Sequence, residues 1–226
     1  MKNKIFFSLL ITAIIIFASS CGSPNIEEDS NSDVVTKATE SRYMESEVRD
    51  YQGIRLDPSI GPRDNSIKGI QNIDIDSYSL EVLGLADEPL TYTYEEVLSL
   101  PEYERLVTLH CVEGWESTVL WKGVLIEDII GPSSIQSEAN TIIFHCADDY
   151  NTSMPIAEVI ENKMILAYSS NGIELPPDLG YPFIVVAEDK IGYKWARWVT
   201  KIELSNNPDF KGYWESLGYD NDGDLK

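Results

Sequence analysis

From residue 78 onward the chain is divided into short apolar or alternating runs, most of them bounded by glycine, proline or an Asn-Gly pair. That spacing limits the fold before any single residue is weighed. Tyr78-Ser79-Leu80-Glu81-Val82-Leu83 alternates and stops at Gly84, as a half-buried strand does. Leu106 to Leu109, Thr141 to Cys146, Phe183 to Ala187 and Trp198 to Leu204 read as further strands. Met164 to Tyr168 and Ile173 to Leu175 flank Asn171-Gly172, the dipeptide preferred in a two-residue hairpin turn. Helices are few and brief. Thr93-Tyr94-Glu95-Glu96 has capping-box spacing and opens a helix through Leu98 that Pro101 ends. Val124 to Ile130 reads as a second helix stopped by Gly131-Pro132, and Pro155 can start a third that runs to Ile160. Many short strands with few short helices predict a β-rich α+β domain.

The N-terminal region is of a different kind. Lys2 and Lys4 precede an apolar run from Ile5 to Phe17, followed by Ala18-Ser19-Ser20-Cys21. A helix of that length is too short to span a bilayer, which takes about 20 residues, so residues 1–20 read as a secretory signal. The cysteine after the small residues resembles a bacterial-type lipoprotein cleavage site, which would make Cys21 the lipidated residue and the chain an extracytoplasmic, membrane-anchored lipoprotein. Ordinary cleavage that leaves Cys21 a spare thiol is the plainer alternative. Residues 21–46 are mostly polar and read as a flexible, lipid-anchored tether. Residues 47–221 then form one domain, and 222–226 a polar tail.

The formal charge of -21 falls further once Lys2 and Lys4 leave, because residues 1–20 contain no acid. So acidic a surface argues against nucleic acid or an anionic membrane as a partner. Within the tail, Asp220-Asn221-Asp222-Gly223-Asp224 has the start of a calcium loop, but the bidentate glutamate such a loop needs does not follow, so the segment reads as solvated.

Chemistry concentrates around Leu109-His110-Cys111-Val112-Glu113-Gly114-Trp115, where a strand delivers a cysteine into a turn. In an exported chain, Cys111 and Cys146 suggest a disulfide first. A simple zinc or copper site built from His110-Cys111 and His145-Cys146 is a second option. Neighbours on a strand point to opposite faces, so those four residues converge only if both strands end there. A redox ligand is the third.

Several motifs in one order carry a resemblance. Cys111-Val112-Glu113-Gly114-Trp115 with Trp121-Lys122-Gly123-Val124 resembles the central signature of the sulfite-oxidase-type molybdopterin-binding domain. Tyr78 to Val82 with Gly84-Leu85, Cys146-Ala147-Asp148-Asp149-Tyr150 with Ser153-Met154-Pro155, Gly180-Tyr181-Pro182, Gly192 to Val199 and Gly212-Tyr213-Trp214-Glu215 match in sequence order. The likeness spans roughly residues 66–219 and is greatest to short exported members, similar to the periplasmic methionine sulfoxide reductase subunit. It implies a single domain of mixed sheets with short helices, a molybdenum-molybdopterin cofactor, and Cys111 as the metal's protein thiolate. A soft anionic sulfur suits a metal cycling by two electrons. The implied activity is oxygen-atom transfer on a small-molecule substrate, such as reduction of an S- or N-oxide.

The same resemblance names the other contacts. Arg197, in Trp195-Ala196-Arg197, stands where the family carries a phosphate-contacting lysine, and a guanidinium can serve there with a bidentate fork. Lys194, in the loop beginning at Gly192, is a second cation for the phosphate. Asn65 and Cys146 fall at pterin-contacting positions, and His110 and Glu113 flank the ligand. Leu179 and Ile184 replace an asparagine and an arginine that hold the phosphate in the sulfoxide reductase branch. Either Lys194 and Arg197 compensate, or the cofactor site is altered and the fold serves as a non-enzymatic binding module. The arginines expected to bind sulfite are not evident at matched positions. No haem or flavin motif is present, so electrons would pass through a separate partner, membrane-bound or free.

Overall fold

The computed structural model describes residues 43–61 and 64–225. Residues 1–20, read above as a secretory signal, Cys21 and most of the segment read as a tether lie outside the described residues. A small ribbon, β1 (Asp50–Tyr51) with β2 (Ile54–Arg55), precedes the main body. Next come β3 (Leu80–Gly84), β4 (Leu90–Tyr92) and the short helix α1 (Tyr94–Leu98). The capping box forms as read. The Thr93 hydroxyl accepts from the Glu96 amide at 3.2 Å, and the Glu96 carboxylate accepts from the Thr93 amide at 2.7 Å.

β5 (Glu102–His110) and β6 (Glu116–Leu125) make a long antiparallel hairpin, in register from Glu102 opposite Val124 to His110 opposite Glu116. The helix read over Val124–Ile130 is shorter. Val124 and Leu125 finish β6, and α2 covers Ile126–Ile130. β6 itself escapes a periodicity reading because it lies inside its sheet and its register shifts between Lys122 and Gly123. Gly123 is required there: a β-carbon would stand 2.3 Å from the Leu166 carbonyl oxygen.

β7 (Thr141–Cys146) and β8 (Asn151–Pro155) follow, then α3 (Ile156–Glu161), β9 (Ile165–Ser170), β10 (Ile173–Glu174), β11 (Ile184–Val186), β12 (Val199–Ser205) and α4 (Tyr213–Ser216). Asn171 and Gly172 both take positive φ, 47° and 79°, and close the β9–β10 hairpin in the geometry their sequence favours. One sheet runs β10-β9-β6-β5 with β11 also on β9, and the other runs β4-β3-β12-β7-β8. β12 pairs parallel with β3 and antiparallel with β7, which makes this sheet mixed. β4 and β8, the edge strands of the mixed sheet, are too short or too polar to have shown in the sequence.

The two sheets share one core. Val107, Val119 and Trp121 come from the first and Val82, Phe144 and Ile202 from the second. Folding begins before β1: the Glu47 carboxylate accepts the Ser59 amide at 3.2 Å, and the Val48 amide donates to the Asn171 carbonyl at 2.8 Å. At the other end, residues 222–225 are not a solvated tail. The Ile191 amide donates to the Gly223 carbonyl at 2.8 Å, and the Leu225 amide donates to the Asp189 carbonyl at 2.9 Å. The polar composition belongs to side chains that stay outside while the backbone is bonded.

Candidate active site

The β5–β6 hairpin fixes Cys111. Its amide donates to the Trp115 carbonyl at 2.9 Å and its carbonyl accepts from the Gly114 amide at 3.0 Å, so the cysteine occupies the first position of a closed turn. The thiol is half-buried, while Val112 beside it is 46% exposed. The Asn65 side-chain amide lies 3.8 Å from Cys111 Sγ and 3.5 Å from a Glu113 carboxylate oxygen. Trp115 Nε1 donates to that same oxygen at 3.2 Å. Across the last pair of the ladder, His110 Nδ1 lies 3.2 Å from Glu116.

A second segment, residues 189–198, lies against this turn. His110 and Ile191 form an isolated parallel bridge, and a β-carbon on Gly192 would stand 3.3 Å from the His110 carbonyl oxygen and 3.6 Å from the Cys111 α-carbon. Glycine at 192 therefore lets the two backbones meet. Arg197 closes the arrangement. Its guanidinium donates to the Asp178 carbonyl at 3.0 Å and to Asp64 at 3.2 Å, and lies over the Trp198 ring at 4.5 Å. Asp64 precedes Asn65, so a single short segment ties the arginine to the cysteine. Burial pushes the Cys146 thiol well above its ordinary value; Asp148 adds to the shift and Arg197 opposes it.

Asn65 and Gly192 both meet the Cys111 turn, and Arg197 joins them through Asp64, whereas Cys146 is buried at the end of β7. Lys194, Trp195 and Ala196 have a different setting. Lys194 is fully buried, with Nζ 2.6 Å from Glu215 and 3.0 Å from the Ser153 carbonyl, so its ammonium is committed to the interior and not open to a phosphate. Burial lowers its pKa and Glu215 resists the shift. Trp195 packs edge-on against Trp121, with 5.7 Å between ring centroids, and donates from Nε1 to the Lys190 carbonyl at 3.2 Å. Ala196 is fully buried and its carbonyl accepts the Val185 amide. Ile184, at a position of lost cationic contact, is a core residue of β11 bridged to Arg197, while Leu179 packs against the core.

Cys111 and Cys146 both remain thiols with no bridge between them. The two His-Cys pairs also fail to converge, because His145 pairs with Glu203 at 2.9 Å on the outer face of β7 while Cys146 joins the core. A cavity of about 460 Å³ opens on that outer side, with Glu81, His145, Asp149 and Lys201 among its walls and Cys146 at its edge.

Sequence reasoning gave no role to Asp64, Asp178 and Gly180, which frame Arg197, or to Glu215, which holds Lys194. Glu215 stands in a matched motif, but nothing local announces a partner at residue 194. The C-terminal segment was also missed. It adds Asp224, beside Lys190, and the Asp220 carbonyl, which accepts the Tyr193 hydroxyl at 2.7 Å.

A family model described as oxidoreductase molybdopterin binding domain matches residues 67–214. An uncharacterized oxidoreductase, YuiH, of Bacillus subtilis is 33% identical over 154 residues, covering 67% of this chain and 76% of that protein. A putative protein-methionine-sulfoxide reductase subunit, YedZ1, of Azospira oryzae is 31% identical over 150 residues, 66% of this chain and 57% of that one. Human mitochondrial sulfite oxidase is 27% identical over 194 residues, covering 67% of this chain but 36% of its own length. Among solved structures, the sulfane dehydrogenase SoxCD of Paracoccus pantotrophus matches with a TM-score of 0.59 at 21% identity, over 61% of this chain and 40% of that chain, a likeness of fold.

The donor set suits the cofactor of such domains. A cysteine sulfur on a half-exposed turn would be the soft donor to the metal, with an amide beside it, and a guanidinium held by fixed acceptors would meet an anionic end. With fold, donor set and family match in agreement, the chain belongs to the oxidoreductase molybdopterin-binding domain family, whose members depend on a molybdenum-molybdopterin cofactor.

Proposed function

We propose that this chain is an exported, lipid-anchored reductase of an S- or N-oxide, with Cys111 as the protein ligand of the molybdenum. The observation that carries the reading is the placement of Cys111 Sγ on a closed hairpin turn, 3.8 Å from Asn65, whose neighbour Asp64 holds Arg197. When bound, the cofactor supplies a two-electron centre able to exchange one oxygen atom with a substrate. This chain's residues do the rest. Asn65 and Cys146 would contact the pterin, Arg197 would hold the phosphate, and the backbone from Gly192 to Arg197 would lie along the cofactor. Lys194, Trp195 and Ala196 support that backbone from behind. The loss of polar contact at Leu179 and Ile184 leaves Arg197 as the cation of the phosphate site.

The exposure of Val112 and Glu113 leaves the turn open to solvent, which suits a sulfoxide presented on a larger molecule, as for the protein-methionine-sulfoxide reductase subunit of Azospira. Reducing an S-oxide to a sulfide and water consumes two protons. His110 and Glu113, on either side of Cys111, are the groups placed to deliver them. Export and anchoring rest on residues 1–21; among the described residues no helix is long and apolar enough to cross a membrane.

The test is metal and pterin analysis of the full chain matured in a host that makes the cofactor. Wild-type protein should carry close to one molybdenum per chain, show a sulfur-to-metal charge-transfer band and reduce a sulfoxide with a dye as electron donor. Cys111→Ser should keep its fold and lose both the band and the activity. An unchanged band in that variant would remove Cys111 from the metal. Mass spectrometry of the mature N-terminus checks the anchor, and an unmodified Cys21 would refute it.

A further inference from the structure

The loop that touches the cysteine turn at Gly192 continues into Tyr193, and from there aromatic rings run without interruption to the surface. Tyr193 meets Tyr219 at 5.4 Å between centroids, Tyr219 meets Trp214 at 5.3 Å, and Trp214 meets Tyr213 at 5.3 Å. The outer end is open to solvent: Tyr213 is 38% exposed, Tyr219 40% and Leu217 62%. Grouped apolar exposure of this kind on a chain this acidic marks a contact surface more often than an ordinary exterior.

Its rim is acidic. Asp209, Asp220 and Asp222 are exposed, and Lys211 is the only cation in residues 207–225. Asn221 donates to the Pro208 carbonyl at 3.3 Å, which ties the turn that carries Asp209 to the Asp220–Asp222 segment. The potential is felt inside the patch, where burial first and then the carboxylates of Asp220, Glu215, Asp222 and Asp224 push the Tyr193 phenol up to about 12. An apolar, aromatic centre with a rim of one sign is the arrangement that steers an oppositely charged partner and then holds it loosely.

We propose that this face, centred on Tyr213, Leu217 and Tyr219, is the docking surface for a cationic one-electron carrier protein that exchanges electrons with the site at Cys111. The inference rests on the oxygen-transfer reading above. Converting an S-oxide to a sulfide and water takes two electrons and two protons. Two reduced carriers therefore dock in turn, each leaves oxidised by one electron, and the protons come from water. The ring-to-ring contacts join the docked carrier's centre to the loop that lies on the cysteine turn.

The experiment uses the cofactor-loaded full chain and a basic c-type cytochrome as probe, with an acidic flavodoxin as the opposite-charge control. Variants are the pair Asp209→Lys with Asp222→Lys, and Leu217→Ser, each checked for unchanged melting. Binding is measured by titration at low and high salt, and electron exchange by rapid mixing. At low salt the double variant should bind the cytochrome at least tenfold more weakly and exchange electrons correspondingly more slowly. The difference should vanish at high salt, and turnover with a small dye should not change. Leu217→Ser should weaken binding at both salt concentrations. The flavodoxin should bind the wild type less than the double variant. Cytochrome binding that survives the charge reversal, or that falls equally when Glu81 and Glu104 are reversed instead, would overturn the docking face. A wild type that binds the cytochrome but does not turn over with the dye would overturn the oxygen-transfer reading and leave the surface assigned.

Discussion

The turn around Cys111 and the loop from residue 189 to residue 198 meet at Gly192 but are held in opposite ways. The turn is the end of a regular hairpin, and the ladder from Glu102 to His110 fixes it without burying its tip. The loop has almost no regular structure, so its backbone is fastened by side chains. These are the buried pair of Lys194 and Glu215, the Lys190 contacts with Glu158 and Asp224, the Trp195 bond to Lys190, and a C-terminal segment laid over it. The difference suits two tasks. A ligand to a metal needs one atom in one place with access from solvent, and strand register provides that cheaply. A groove for an extended cofactor needs irregular backbone, which stays rigid only if its polar groups are satisfied from behind.

The sharpest way to break the comparison is Lys194→Met. If the loop depends on the buried pair, removing one charge leaves the Glu215 carboxylate with the Thr152 hydroxyl but no cation and costs about 3–5 kcal/mol, read from urea unfolding. Cys111→Ser, on the exposed turn, should change stability by no more than about 0.5 kcal/mol. Equal losses in the two variants would mean that the loop and turn share one scaffold. A double variant, Lys194→Met with Glu215→Leu, should recover much of the loss, because a buried pair is costly mainly when half of it remains.

These two regions were not equally legible in the sequence. The turn was, since Cys111 to Trp115 is contiguous and its role needs only a strand before it. The capping box at Thr93 and the Asn171-Gly172 hairpin were legible for the same reason, as both are set within four residues. β6 was not, because an interior strand with a register shift loses the alternation that identifies strands. Nor was the use of Lys194: a lysine in a basic run reads as an open cation, and only the tertiary fold brings Glu215, 21 residues away, onto it. The acidic C-terminus read as solvated for a related reason, since composition reports side chains and the attachment is made by backbone.

The second test removes residues 220–226. This deletes the bonds from Ile191 to Gly223, from Leu225 to Asp189 and from Tyr193 to the Asp220 carbonyl, and leaves Lys190 with Glu158 alone. At roughly 0.5–1.5 kcal/mol for each net hydrogen bond, a loss of about 2 kcal/mol is expected. The truncated protein should also release pterin faster than the wild type, measured by fluorescence of the freed cofactor, because the groove loses its backing. Destabilisation without faster release would show that the segment guards the fold and not the groove.

The smallest expected effect lies at the end of β7, where regular strand geometry again does the positioning: Cys146 enters the core and His145 takes the outer face. Burial lowers the His145 pKa more than Glu203 raises it, with Lys201 acting in the same direction as burial. The folded chain therefore binds this proton less readily than the unfolded chain. Below the ordinary imidazole value, about 6.5, the unfolded state holds more protons, so stability is complete above that value and declines as the pH falls through it. With the ring half-exposed, the change should be a fraction of the Lys194 effect. His145→Gln keeps a hydrogen-bonding side chain without the titration, so its urea midpoint should fall less than that of the wild type between pH 7 and 5. If both lines fall together, the acid sensitivity belongs to the carboxylates and not to the outer face of β7.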